Sequence, residues 1–424
     1  MSVLMASHVS PEPFGNFLES LASAAYDDFR SLPGSEVESG SAFEEMRQHL
    51  QHLYKDVRVV ASFVENDGQV VDCIPVEHHP AVKRSDDKTL STTVPAAQPA
   101  PESRETTPPS FTSPSLKETS DALPRTRDQE GAETRTQYPP GTIPMYRTTL
   151  EQLSRFRNLT AFCAKDRFTD VAARAASSSP KRYATGEQDV HCVGGGSHVN
   201  VWKPFATPSF QATFSQQWYV AGHDGTLMQT VECGWHVDIA RYGNADPHLF
   251  VYSTRQNYDV GHSFYNTDGG VYQPVPNPYV LPGAPLMVSQ TDGTQIAYKM
   301  GFYLTGGAWV FYFNDHAVGS YPLAWFRNGP LASGARRIKF GGEVGSGISL
   351  WPAMGSGRHA SAGYGKAAFQ RGAFVNPVGG GALFANLSEA GSTNGPCYTI
   401  DITNNAAGEW GTYLFFGGPG GQAC

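Results

Sequence analysis

From Tyr183 to the C-terminus, apolar residues recur at every second position. In LMQTVECGWHVDI (227–239), Leu227, Val231, Cys233, Trp235, Val237 and Ile239 fall on one face and Thr230, Glu232, His236 and Asp238 on the other. A period of two is the signature of a strand with unlike faces. The same alternation appears in ATFSQQWYV, QIAYKMGFYL, AWVFYFN, RIKFGGEV and TYLFF, with turn signals at Asp224-Gly225, Gly269-Gly270, Asp292-Gly293 and Asn328-Gly329. Many short strands and no helical period predict one antiparallel sandwich or barrel of about 240 residues.

Composition separates this region from what precedes it. Of the 45 glycines, 6 lie in residues 1–180 and 39 beyond, and all 7 tryptophans lie beyond. The formal charge of −8 divides as −7 and −1 across the same boundary. An acidic chain of this kind is a poor partner for nucleic acid. The sequence has no apolar run of the length that spans a membrane, and no signal peptide is visible at its start.

The N-terminal part reads as a small α+β module over residues 1–81. Phe43, Met46, Leu50, Leu53 and Tyr54 have helical spacing, with Ser41 and Glu44 set as a capping box. VRVVASFV and VVDCIPV, separated by Asp67-Gly68, read as a hairpin. Residues 82–137 are rich in Pro, Ser and Thr and read as an exposed linker. Residues 138–182 form a connector that regains apolar character at YPPGTIPMYRTTLEQLSRF and turns loop-like from 165. The β-domain occupies 183–424.

Common catalytic signatures are missing: there is no G-x-S-x-G, P-loop, H-E-x-x-H or C-x-x-C. The histidines show no ligand spacing, so neither metal nor cofactor is expected. Glutamate is scarce beyond residue 180, with five in all, and two of them sit inside strand-like sequence with no Lys or Arg beside them: Glu232 in QTVECGW and Glu343 in KFGGEVGSG. Each could simply face solvent. Brought together on one sheet face, however, two carboxylates share a proton and supply a general base and a general acid without metal. Gly342 and Gly345 around Glu343 would let a substrate backbone come close.

QTVECGW, RYGNADPHLFVYST, KFGGEVGSG, MGSGRHASAGYGKAAF and WGTYLFFGGPGGQAC resemble the neprosin family of prolyl endopeptidases, which are glutamic peptidases. FVENDGQVVDCIPVEHHPA resembles the family's activation peptide and PPGTIPMYRTT its connector. The resemblance implies a β-sandwich of two twisted antiparallel sheets preceded by an α+β prosegment. It makes Glu232 and Glu343 the catalytic pair and implies a disulfide between Cys397 and Cys424, which by loop closure would contribute roughly 3 kcal/mol. It also implies cleavage after proline, an inhibitory prosegment and secretion; the shared proton of the glutamate pair predicts acid activity, and a monomer is expected. Phe340 and Ser253 stand where plant members have Trp, and GHSFYNTDGG lacks two flanking cysteines, so subsite shape differs.

Among other candidates, Gln217 matches a family Gln, shares a strand face with Tyr219, and is a substrate or oxyanion ligand or else just a solvent-facing polar group. Tyr252 and Trp351 are candidates to stack on a proline ring. Trp235 and Cys233 read as core. Autoprocessing would fall at Pro124, Pro139, Pro140, Pro144 or Pro180. The rival readings are a carbohydrate- or wall-binding β-sandwich and a glycosidase, both of which use aromatics and carboxylates.

Overall fold

The computed structural model describes residues 11–65, 67–83, 101, 118–119, 126–127, 133–134, 138–165, 168, 180–207, 211–222, 227–259, 261–391, 395–422 and 424. Most of the linker, with Pro124, and the Asp224-Gly225 turn lie outside these residues.

Helix α1 (Phe14–Ser23) and helix α2 (Gly40–Leu53) pack on a three-stranded antiparallel sheet of β1 (Ala61–Val64), β2 (Val70–Pro75) and β3 (Thr142–Tyr146). α2 buries Phe43, Met46, Leu50 and Leu53, the residues its spacing picked out. Its cap is Ser39, whose Oγ accepts from Ala42 N at 3.1 Å; Ser41 lies one step inside, and Glu44 turns to Arg47 and Gln48. The expected capping box is therefore absent: the N-cap lies two residues earlier, and Ala42, its N3 residue, has no polar side chain to return the bond. β3 comes from the connector and pairs Ile143 with Ile74, so that segment completes the N-terminal sheet. Arg147, just after β3, forms a buried ion pair with Asp72 at 2.6 Å and lies over the rings of Phe14 and Phe17, tying α1 to the sheet.

Two short helices, α3 (Leu150–Ser154) and α4 (Leu159–Cys163), lead toward the β-domain. α3 carries a true capping box, Thr149 with Gln152. The β-domain opens on β4 (Lys181–Asn200) and continues through β5 (Gln211–Ala221), β6 (Gln229–Val237), β7 (His248–Thr254) and β8 (Ser263–Tyr265). β9 (Gln295–Thr305), β10 (Ala308–Phe313), β11 (His316–Pro322), β12 (Ala335–Ser346) and β13 (Ala368–Pro377) follow. The chain closes with β14 (Thr399–Thr403) and β15 (Tyr413–Gly417).

Hydrogen bonding runs β8-β7-β6-β5-β12-β4-β9-β10-β11, all antiparallel, with β13, β15 and β14 branching from β4. Two separate sheets were expected; one large curled antiparallel sheet is found. The reason is β4, whose 20 residues pair first with β12 and then with β9 and β13, carrying the ladder from one layer into the other. Its Gly194-Gly195-Gly196 run allows that crowding: a Cβ on Gly195 would lie 2.4 Å from the Phe374 carbonyl. The core between the layers holds Trp235, Trp309, Tyr219, Phe302 and Phe311. Cys397 and Cys424 form a disulfide, and the other four cysteines are buried thiols.

Every residue of β5, β6 and β7 is buried. Their polar face is covered too, by the connector and the N-terminal module. Arg241 pairs with Asp268 at 2.6 Å in the β-domain, Asp268 O meets His49 Nε2 at 3.1 Å, Gln69 Nε2 donates to Gly283 O at 3.0 Å, and Asp67 stands 3.8 Å from His248.

Candidate active site

β5 lies between β6 and β12, and this order brings the two glutamates together. Trp218 of β5 is the cross-strand partner of Glu232, and Phe214 that of Glu343, so both carboxylates rise on the face shared by residues 214, 216 and 218. Both side chains are buried. Gln216 stands between them and donates from Nε2 to Glu343 Oε2 at 2.6 Å. On the other side, Thr230 Oγ1 at 2.8 Å and Tyr258 Oη at 2.7 Å both donate to Glu232 Oε1. Tyr258 reaches it from the loop after β7 in a left-handed conformation, φ 61°, which is costly for a bulky residue.

The carboxylates meet at a cation. Lys165 Nζ, from the connector, donates to Glu232 Oε2, to Glu343 Oε2 at 3.1 Å and to Gln216 Oε1 at 2.8 Å. The rings of Phe214, Trp218, Phe250 and Tyr252 stand 5.2–5.9 Å from the same ammonium. Lys181 Nζ, at the start of β4, lies 3.0 Å from Glu343 Oε1. Burial by itself would raise the Glu343 carboxyl; the Lys165 and Lys181 charges outweigh it and hold the group below its ordinary value. Burial, followed by the Glu232 charge, pushes the Tyr258 hydroxyl well above its ordinary value, so it remains a donor.

Phe168 sits beside Lys165 in the same cleft, clustered with Phe214, Phe250, Tyr252 and Tyr265. Its ring covers Gly345, where an added Cβ would fall 2.2 Å away. Gly345 thus permits a close approach on the glutamate face, as its position beside Glu343 suggested. Gly342 does not serve that purpose: it faces the opposite side, against Met354 and Phe416.

The structure brings some of the anticipated residues together and separates others. Tyr252, cross-strand from Glu232, lines the cleft. Gln217 and Tyr219 point into the interior instead: Gln217 Nε2 donates to Ser197 Oγ and Met300 O, and Tyr219 Oη donates to Gly195 O at 2.6 Å. They share a face, but it is the core face, because alternation puts Gln216 and Trp218 with the glutamates. Trp351 packs under the Arg182 guanidinium at 4.2 Å and bridges to Gly421, away from the glutamate pair. Trp235 and Cys233 are core. Sequence reasoning missed Gln216, Trp218, Thr230, Tyr258 and both lysines. Register could have recovered the first two, since parity fixes a strand's faces once one member is placed; nothing local marks Lys165.

Chemically, the arrangement is two buried carboxylates converging on one point, with amide and hydroxyl donors beside them. With the lysine in place both are charge-compensated. Without it, the two anions facing one point favour a shared proton.

Two solved structures of scytalido-glutamic peptidase are similar to this chain. The complex with a transition state analog inhibitor has 10% identity over 56% of this chain and 98% of that one, with a TM-score of 0.32; the complex with a peptide based transition state analog has 10% identity and a TM-score of 0.28. Against known families, the match is to the one described as Neprosin. Residues 209–419 of this chain are a Neprosin family domain.

Proposed function

We propose that this chain is the zymogen of an acid-active glutamic endopeptidase that cleaves on the C-terminal side of proline. The observation that carries the reading is the convergence of Glu232 and Glu343 on a single ammonium. Family membership supports peptide hydrolysis, and the proline preference rests on the family resemblance alone.

In the uncovered site one glutamate, ionised, takes a proton from water as the water oxygen bonds to the scissile carbonyl carbon. The other, protonated, donates to the carbonyl oxygen. Collapse of the tetrahedral adduct breaks the C–N bond, and a carboxyl proton passes to the leaving amine. Gln216 Nε2 is placed to steady the oxyanion, and Trp218 and Tyr252 offer ring faces to a proline.

Lys165 and Phe168 fill this cleft as a plug, which supports latency. Of the candidate processing sites, Pro144 is buried in β3, whereas cleavage after Pro180 would part the plug from β4 at Lys181. Secretion accords with the Cys397–Cys424 disulfide.

The test is incubation of the full chain at pH 4 with a proline-containing peptide, following chain mass and peptide products. The expected result is conversion to a species of about 25 to 30 kDa, one domain in size, and cleavage after proline. Glu232→Gln and Glu343→Gln should each abolish turnover; full activity in either variant overturns the assignment.

A further inference from the structure

On the opposite face of the sheet from the glutamates, a cavity of about 330 Å³ opens at the edge of β7 and β8. Ala81 of the N-terminal module forms part of its rim, and Arg255, Arg327, Trp325, Phe264 and Gln273 line it. Among the described residues, no carboxylate lines it. Two guanidinium groups therefore face one space with no ion-pair partner among the described residues.

The Arg255 side chain is held in place before any ligand arrives. Its guanidinium lies over the Trp325 ring at 4.6 Å. Trp325 is fixed in turn, its Nε1 donating to Ser253 Oγ at 3.0 Å and Ser253 Oγ to Thr230 O at 2.9 Å. The Arg255 backbone is pinned at both ends, its N donating to His262 O at 2.9 Å and its O accepting from Gln229 Nε2 at 3.0 Å. The buried Nε nevertheless has no acceptor among the described residues. An unspent, water-excluded donor on a charged group is expensive, and a guanidinium fork matches the geometry of a planar or tetrahedral oxyanion.

Arg327 supplies the second charge from an exposed position in left-handed conformation, φ 50°, at the end of the short Leu323–Phe326 turn of helix. Burial, and then the like charge of Arg327, depress the Arg255 guanidinium below its ordinary value. A bound anion would relieve both.

We propose that Arg255 and Arg327 form a binding site for a small oxyanion, a carboxylate or an inorganic dianion, separate from the proteolytic cleft. The two sources share one chemistry. The site is coupled to that cleft through the loop from Arg255 to His262, which also carries Tyr258 to Glu232. Occupation would steady this loop.

Calorimetric titration of the full chain with sodium sulfate and with N-acetyl-glutamate amide, at constant ionic strength, tests the proposal. The expected result is saturable binding of at least one probe, weakened tenfold or more by Arg255→Gln and by Arg327→Asn. Asn tolerates the left-handed conformation, so Arg327→Asn decides the question even if Arg255→Gln perturbs folding. Binding of sulfate alone assigns a free anion, and binding of the glutamate probe assigns an acidic side chain. No saturable binding, or unchanged affinity in Arg327→Asn, overturns the site. Glu343→Gln should bind like the parent chain, so failure of the peptidase reading would leave this titration untouched.

Discussion

Lys165 lies 67 residues before Glu232 in the chain, yet its ammonium donates directly to that carboxylate in a pocket closed to solvent. Lys165 and the two glutamates thus form one electrostatic unit. Lys165→Met retains the stem and deletes the charge, leaving two buried carboxylates with one cation fewer. Removing one partner of a buried pair typically costs about 3–5 kcal/mol, so the plug should loosen. Uncut Lys165→Met is expected to hydrolyse a proline peptide at least tenfold faster than the uncut parent; a rate equal to that of Glu343→Gln would count against the plug.

For the proposed acid activation, the direction of each titration decides which groups can act. Glu343 is held below its ordinary value, so its contribution to the lock is present at and above the ordinary glutamate range and is lost only at lower pH. Mild acid must act elsewhere. His79 in the N-terminal module is fully buried, its Nδ1 accepts from Ala81 N at 3.3 Å, and burial lowers its pKa from 6.5 to about 3. With the folded value depressed, its stabilisation is complete above pH 6.5 and falls as the pH drops toward 3, by about 2 to 3 kcal/mol at pH 4.5. His79→Leu should flatten the loss of melting temperature between pH 7 and 4.5; an unchanged slope would exclude this residue as the trigger.

Tyr258 donates to Glu232 Oε1, and hydrogen bonds to charged groups contribute about 1.5–3 kcal/mol. Tyr258→Phe keeps the ring and its backbone conformation while weakening the ionised form of Glu232. In the processed enzyme kcat/KM at the working pH should fall about tenfold or more. A kcat/KM equal to the parent's would show that this bond does not support the carboxylate.

The Cys397–Cys424 bridge closes a span of 27 residues next to Gly418 and Gly421, whose backbones pair with Met354 and Trp351. Replacing both cysteines by serine should lower stability by about 3 kcal/mol in urea unfolding. The difference should vanish when both proteins are compared under reducing conditions.

The sequence by itself determined the strands, since a period of two through Gln229–Val237 sorts Val231, Cys233 and Trp235 from Thr230, Glu232 and His236. It also determined α2, through Phe43, Met46, Leu50 and Leu53, and it singled out Glu232 and Glu343 by their scarcity and apolar surroundings. Only the tertiary structure decided which strands lie side by side. That choice set β5 between the glutamates, put Gln216 rather than Gln217 beside them, and let β4 join two expected sheets into one. Lys165 was beyond the reach of pattern reading for the same reason. Alternation is written in neighbouring residues, whereas an ion pair across 67 positions is made by long-range packing that no local spacing encodes.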